Sequence, residues 1–281
     1  MISLFTLGFL SSLNPSKSMF PVFLYILFIS VYFVIANTLR SKKWSLKAIY
    51  ALIISGTFSA IIGVYQNFVG LEQSLIWVDT SMFSDISARV IGTFENPNVF
   101  GEFLIMIIPL SFVSLIKSKR MGKYGPIVSL FFMGLSLIYT YSRGAWLAFL
   151  VSFFLFLLFL HKGFMKISVI GVFALPFLPM VLPASIVNRL LSIGNMADSS
   201  TAYRVNIWVG TMRMLKDYWL TGIGTGTDIF LSVYPSYALS SAAYAQHPHN
   251  LYLHVLAELG IMGFICLLCV ILLYFKRILS S

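Results

Sequence analysis

The chain is 281 residues long, 59% hydrophobic and only 10% charged, with a mean hydropathy of +0.91. That is more apolar surface than a soluble core of this size can hide, so the lipid bilayer is the main solvent and a soluble globular domain is excluded. The formal net charge of +10 sits in short basic clusters between apolar stretches, which marks it as topogenic and argues against a nucleic-acid partner.

A membrane span needs about 20 mostly apolar residues to cross roughly 30 Å of hydrocarbon. In chain order, residues 2–13 are too short for a full span and lack the charged start and small-residue cleavage site of a signal peptide, so they read as a partial helix. Spans are expected at 20–39, 46–65, 100–116, 126–141, 145–160, 167–187 and 251–275. The sequence thus points to an all-α integral membrane protein with about seven or eight transmembrane helices. Pro176, Pro179 and Pro183 should bend or break the sixth of these near its outer end, because each removes a backbone donor and crowds the preceding turn.

Between the spans the signs of charge alternate. Arg40, Lys42, Lys43 and Lys47 form one basic connection, and Lys117, Lys119, Arg120 and Lys123 a second. Lys162 with Lys166, and Lys276 with Arg277, fall on the same side if each span crosses once. Glu72, Asp79, Asp85, Glu95, Asp198, Asp217 and Asp228 occupy the other side. Loops rich in Lys and Arg stay in the cytoplasm, so residues 188–250 should form one long extracytoplasmic loop. Within it, Val205, Trp208, Met212 and Leu215 recur at helical spacing behind the N-cap candidates Asp198, Ser199 and Ser200, as in an amphipathic helix that lies on the membrane surface and presents Arg204. Cys266 and Cys269 fall inside the last span and read as small hydrophobes, so no disulfide orders the loop. With no internal repeat or low-complexity tract, residues 1–281 read as a single polytopic domain.

Four constellations carry polar chemistry. In Tyr141-Ser142-Arg143-Gly144-Ala145-Trp146 an arginine occupies a tight connection between two spans. Snorkelling accounts for such a residue, but on the acid-bearing face a phosphate held by bidentate hydrogen bonds is the sharper reading. In Gly92-Thr93-Phe94-Glu95-Asn96-Pro97-Asn98, Asn96 is an N-cap and Pro97 the first helical residue; Glu102, just inside the helix, needs a partner or water, with Arg143 one candidate. Gly222-Ile223-Gly224-Thr225-Gly226-Thr227-Asp228 lacks the strand, lysine and spacing of a nucleotide loop and reads as a flexible turn. Last, His247 and His249 precede the final span, in which His254 and Glu258 stand four apart on one face. They match no zinc spacing, and a histidine there suits a general base for a hydroxyl.

His247-Pro248-His249-Asn250-Leu251-Tyr252-Leu253 followed by Glu258-Leu259-Gly260-Ile261-Met262-Gly263 resembles the signature of the O-antigen ligase and O-antigen polymerase superfamily. Ser142 to Trp146, Gly92 to Asn98, and Arg204 to Trp208 with Gly222 to Gly226 are similar to earlier segments of that family, so the resemblance covers residues 92–263. It implies a GT-C-like, metal-independent, inverting glycosyltransferase of the bacterial cytoplasmic membrane, with its active site on the extracytoplasmic side and no cofactor. The donor it implies is a glycan on undecaprenyl diphosphate, and the acceptor a glycan, lipid or protein hydroxyl. By position, His249 would be the catalytic base and Arg143 and Arg204 the diphosphate ligands, with Glu102, Arg213, His247 and Glu258 in support and no metal. The chain departs from the family's pattern at its N-terminus, with about seven or eight expected spans against the family's usual dozen or so. A transporter or flippase, or a shortened noncatalytic member, is the competing reading. The clustering of ionisable residues at the outer mouths of the spans, not along their interiors, weighs against transport.

Overall fold

The computed structural model describes residues 9, 12–70, 88–160, 180, 182–193 and 198–280. In chain order its α-helices are Pro15–Thr38 (α1), Lys42–Val69 (α2), Pro97–Lys117 (α3), Tyr124–Tyr139 (α4), Arg143–Leu160 (α5), Ala184–Leu191 (α6), Ser199–Tyr218 (α7), Thr227–Val233 (α8) and Leu251–Leu279 (α9), and no strand occurs among the described residues. Five helical stretches are long and apolar enough to cross a membrane: α1, α2, α3, α9, and α4 together with the 3-10 turn that leads into it. With the shorter apolar helix α5, they make this a multi-pass membrane protein. Most of the expected span at 167–187, and most of the partial helix at 2–13, lie outside the described residues. Where the former re-enters, Pro183 precedes a separate short helix, α6, so the chain does not run on as one span.

Polar caps start the helices as the sequence implies. Asn96 accepts the Asn98 N–H at 2.8 Å with Pro97 next in line, and Asp198 accepts the Thr201 N–H at 2.9 Å. Asn250 accepts from both Tyr252 and Leu253 at the head of α9. Each cap satisfies backbone donors that the helix itself cannot.

The chain forms two compact units, Ser41–Gly194 and Met1–Arg40 with Asn195–Ser281. In the first, α2 and α4 meet through small residues. A Cβ on Gly63 would come within 2.8 Å of the Ser136 hydroxyl, and one on Gly56 within 3.1 Å of the Met133 methyl. This close approach lets Ser136 donate to the Ala60 carbonyl at 2.7 Å and Thr57 to the Ser129 hydroxyl at 2.7 Å. In lipid, where burial drives no association between helices, such packing and polar contacts hold a bundle together. Phe100, Leu104 and Met133 fill its core.

In the second unit α7 and α8 share a core with α9, built on Ile207, Met214, Ile223, Ile229, Tyr234 and Ala257. The segment expected as a loop is therefore largely helical. The apolar stripe of α7 is also rotated from its expected place. Ile207, Thr211, Met214 and Leu215 are buried, whereas Trp208 and Met212 are 36% and 56% exposed. Gly210 explains the rotation: its missing side chain admits Tyr234, whose ring and hydroxyl would lie 2.9 Å from a Cβ there.

Candidate functional site

The final span begins with an irregular, histidine-rich approach. Trp208 of α7 donates its indole N–H to the Pro248 carbonyl at 3.0 Å, and Asn250 caps the helix that follows. Between these anchors His249 has φ of +50°, a left-handed conformation that a non-glycine residue adopts only under constraint. The constraint aims the ring. The His247 and His249 ring centroids lie 4.0 Å apart, His254 lies 6.1 Å from His247, and Tyr203 meets His249 edge-on at 6.4 Å.

Burial pushes the His249 pKa down to about 4, and the charges of His247 and Arg204 push the same way. Burial, then His254, lowers His247 as well. Both rings are therefore neutral near pH 7 and offer a lone pair. Arg204 of α7 is half-buried beside His249, while Arg213, about two and a half turns further along the same helix by position, is exposed.

Below the histidines α9 is broken at Gly260, with φ of +61° and ψ of −164°. In a continuous helix the carbonyls of Ala257 and Glu258 would accept from Ile261 and Met262. Here they accept instead from Ile223 at 2.8 Å and Gly224 at 3.1 Å, and the Ile261 N–H turns to the Trp219 carbonyl at 2.9 Å. The glycine segment is thus laced across the break. Gly222, Gly224 and Gly226 all have positive φ, and a Cβ on Gly222 would sit 2.4 Å from the Glu258 carbonyl oxygen. The expected turn is present, but it is fastened along its length. Glu258 adds a side-chain bond, accepting the Gly226 N–H at 2.8 Å, and its same oxygen lies 3.1 Å from His254 Nε2.

The other arginine of the expected site belongs to the first unit. Arg143 opens α5 two residues after Tyr141, which has φ of +47°. It donates to the Ser192 carbonyl at 3.0 Å and the Ser192 hydroxyl at 2.7 Å. Its expected candidate partner Glu102 is exposed on α3, while the turn after α6 brings Ser192 to the head of α5. Two arginines not singled out from the sequence hold the same turn. Arg89 donates to the Thr140 carbonyl at 2.8 Å and the Asn98 side chain at 3.0 Å; Arg189 donates to the Tyr141 carbonyl at 3.3 Å. Gln66 was also unforeseen; its side chain grips the backbone of Ile91 and Gly92. The signal available for Arg89 was a cation three residues before the Gly92 motif, between Ala88 and Val90.

The first unit also contains an apolar cavity of about 390 Å³, lined by Ile108, Leu137, Trp146, Phe153, Ile186 and Leu190 among others. Its walls offer nothing to bind a polar ligand. Among the described residues no group of three or more His, Cys, Asp or Glu is arranged to hold a metal ion.

A multi-pass helical membrane protein with neutral histidines and an arginine at the head of its last span belongs to a recognisable class. The O-antigen ligase family model, Wzy_C, matches residues 128–268, half of the 281-residue chain, and the chain belongs to that family. The family is of the enzymatic glycosyltransferase and ligase type, which handles glycans at membranes. No curated protein and no solved structure matches the chain. Arg143, Arg204, Arg213, His247, His249 and Glu258 fall inside the matched residues, whereas Glu102 and the Gly92 motif precede them.

Proposed function

We propose that this protein transfers or polymerises a glycan from undecaprenyl diphosphate onto an acceptor hydroxyl at the outer face of the bacterial cytoplasmic membrane. The observation that carries the reading is His249: an imidazole neutral near pH 7, packed against His247 and Tyr203 and beside Arg204, at the head of a membrane span. The acceptor, a glycan, lipid or protein hydroxyl, attacks the anomeric carbon and gives its proton to His249. The bond from that carbon to the diphosphate oxygen breaks, and the leaving group keeps the electron pair. Attack opposite the leaving group inverts the anomeric configuration.

Arg143 and Arg204 are assigned to the developing negative charge, where one preorganised donor typically contributes about 3 kcal/mol. Guanidinium groups can take the place of a divalent ion there, so the proposed reaction needs no metal. The donor's charge also acts on the base. Part of the depression of His249 comes from Arg204, and an anion that neutralises that guanidinium raises the imidazole's basicity when it is needed. The apolar cavity supports a seat for a stretch of the prenyl tail. Arg213, His247, Glu102 and Glu258 are proposed in support, and the basic cytoplasmic connections support the outward orientation.

The test is incubation of the purified protein with a polyprenyl-diphosphate-linked oligosaccharide and a panel of hydroxyl acceptors. Wild-type protein should release free polyprenyl diphosphate and form a glycosidic product, while His249→Ala and Arg143→Ala should not. Full turnover by both variants would overturn the site.

A further inference from the structure

Glu258 is a buried carboxylate, 6% exposed, in the middle of an apolar stretch two residues before the helix break. A charge in such surroundings is costly unless hydrogen bonds satisfy it, and residues of this kind are retained for a task. Its satisfaction is specific. One oxygen, Oε1, receives the Gly226 N–H at 2.8 Å and faces His254 Nε2 at 3.1 Å, while the residue's main-chain carbonyl receives the Gly224 N–H. A single residue therefore holds the glycine turn by backbone and side chain and also the imidazole one helical turn above it.

We propose that Glu258 is a positioning residue for the base: by fixing His254 and the Gly222–Gly226 turn, it sets the column of imidazoles that ends at His249. A carboxylate only accepts, so His254 must carry a proton on Nε2 to meet it, which fixes ring orientation as well as place. His254 stands 6.1 Å from His247, and His247 4.0 Å from His249, so the order imposed at Glu258 is passed on by ring contacts. Glu258 touches none of the reacting atoms and is not a catalytic residue. The proposal rests on the reading of His249 as the base.

Two variants and two readouts test it. Glu258→Ala removes the charge and the acceptor, whereas Glu258→Gln retains an acceptor oxygen for the Gly226 N–H. With a polyprenyl-diphosphate-linked oligosaccharide, Glu258→Ala should lower kcat about 10- to 100-fold, the usual cost of losing such an orienting partner, while donor KM stays within about twofold. Glu258→Gln should recover most of that loss. In the resting protein, without donor, reaction of His247, His249 and His254 with diethylpyrocarbonate, resolved by peptide mass spectrometry, should quicken severalfold in the alanine variant and little in the glutamine variant. Wild-type kcat with unchanged histidine reactivity in Glu258→Ala would overturn the proposal. So would a fall in thermal midpoint with kcat per folded molecule unchanged, since the role would then be structural only. If His249→Ala keeps full turnover, the reading of the base fails by itself, and the diethylpyrocarbonate pattern still decides whether Glu258 orders the column.

Discussion

The turn at the head of α5 and the break within α9 are both irregular points in apolar helices, yet the chain fixes them by opposite means. The Thr140–Arg143 turn is gripped by side chains: Arg89 holds the Thr140 carbonyl, Arg189 the Tyr141 carbonyl, and Arg143 itself reaches Ser192. The break in α9 is gripped by backbone, through a glycine turn whose N–H groups take over the carbonyls freed there, while the His249 approach above it hangs on the Trp208 indole and the Asn250 cap. Long cationic side chains tolerate small adjustments of their partners. Backbone laced to backbone does not, because a single added methyl has nowhere to go.

The largest contrast to draw is chemical. His249→Ala should cost about 10²- to 10⁴-fold in kcat, the range for a lost general base, and Arg204→Lys about 10²- to 10³-fold through a weakened hold on the leaving group. Rapid-quench measurement of polyprenyl diphosphate release would read both. If the arginine substitution raised KM alone, Arg204 would be a ground-state binder and its assignment to the leaving group would fall.

Backbone lacing gives the next effect. Gly222→Ala places a Cβ 2.4 Å from the Glu258 carbonyl oxygen at φ of +71° and should destabilise by about 1–3 kcal/mol or prevent folding. Gly144→Ala, beside Arg143, meets nothing within 4 Å and should be neutral or stabilising by up to about 1 kcal/mol. Equal thermal midpoints for the two variants in detergent would erase the distinction between the regions.

The pH response is smaller. Because His249 ionises at about 4 in the fold and near 6.5 when free, the acid limb of kcat/KM should lie well below 6.5. The sign for stability follows. The depressed folded pKa contributes stability above pH 6.5, which is lost as pH falls from 6.5 towards 4, where the unfolded chain already holds the proton. His249→Gln should flatten that window; a wild-type acid limb at 6.5 would mean that the surroundings of the ring, His247 and Arg204 among them, do not hold it neutral as described. The smallest effect is expected at Tyr237, whose exposed hydroxyl donates to Asp217 at 2.6 Å and is held up to about 12 by that bond. Tyr237→Phe should leave turnover within about twofold, as surface changes away from a site generally do.

Much of this was legible in the sequence because it depends on local rules. Apolar length gave the spans from α1 to α5 and α9, and Asn96 and Asp198 announced helix starts. What escaped depends on residues far apart in the chain. The rotation of the α7 stripe is decided by Tyr234 entering at Gly210, and the break at Gly260 is stable only because residues 219–224 supply its missing partners. Gly222, Gly224 and Gly226 suggested a turn, but nothing local says to what a turn is tied. Arg89 and Arg189 were passed over for the same reason, since their acceptors lie 51 and 48 residues away.

The central claim is that His249 takes the acceptor's proton as the glycan leaves its lipid diphosphate. The most direct measurement is single-turnover transfer from a polyprenyl-diphosphate-linked oligosaccharide by purified wild-type and His249→Ala protein, with free polyprenyl diphosphate quantified and thermal midpoints matched. The expected result is stoichiometric release with inverted product from the wild type and at least about 10²-fold slower release from the variant. Equal rates in the two proteins would contradict it.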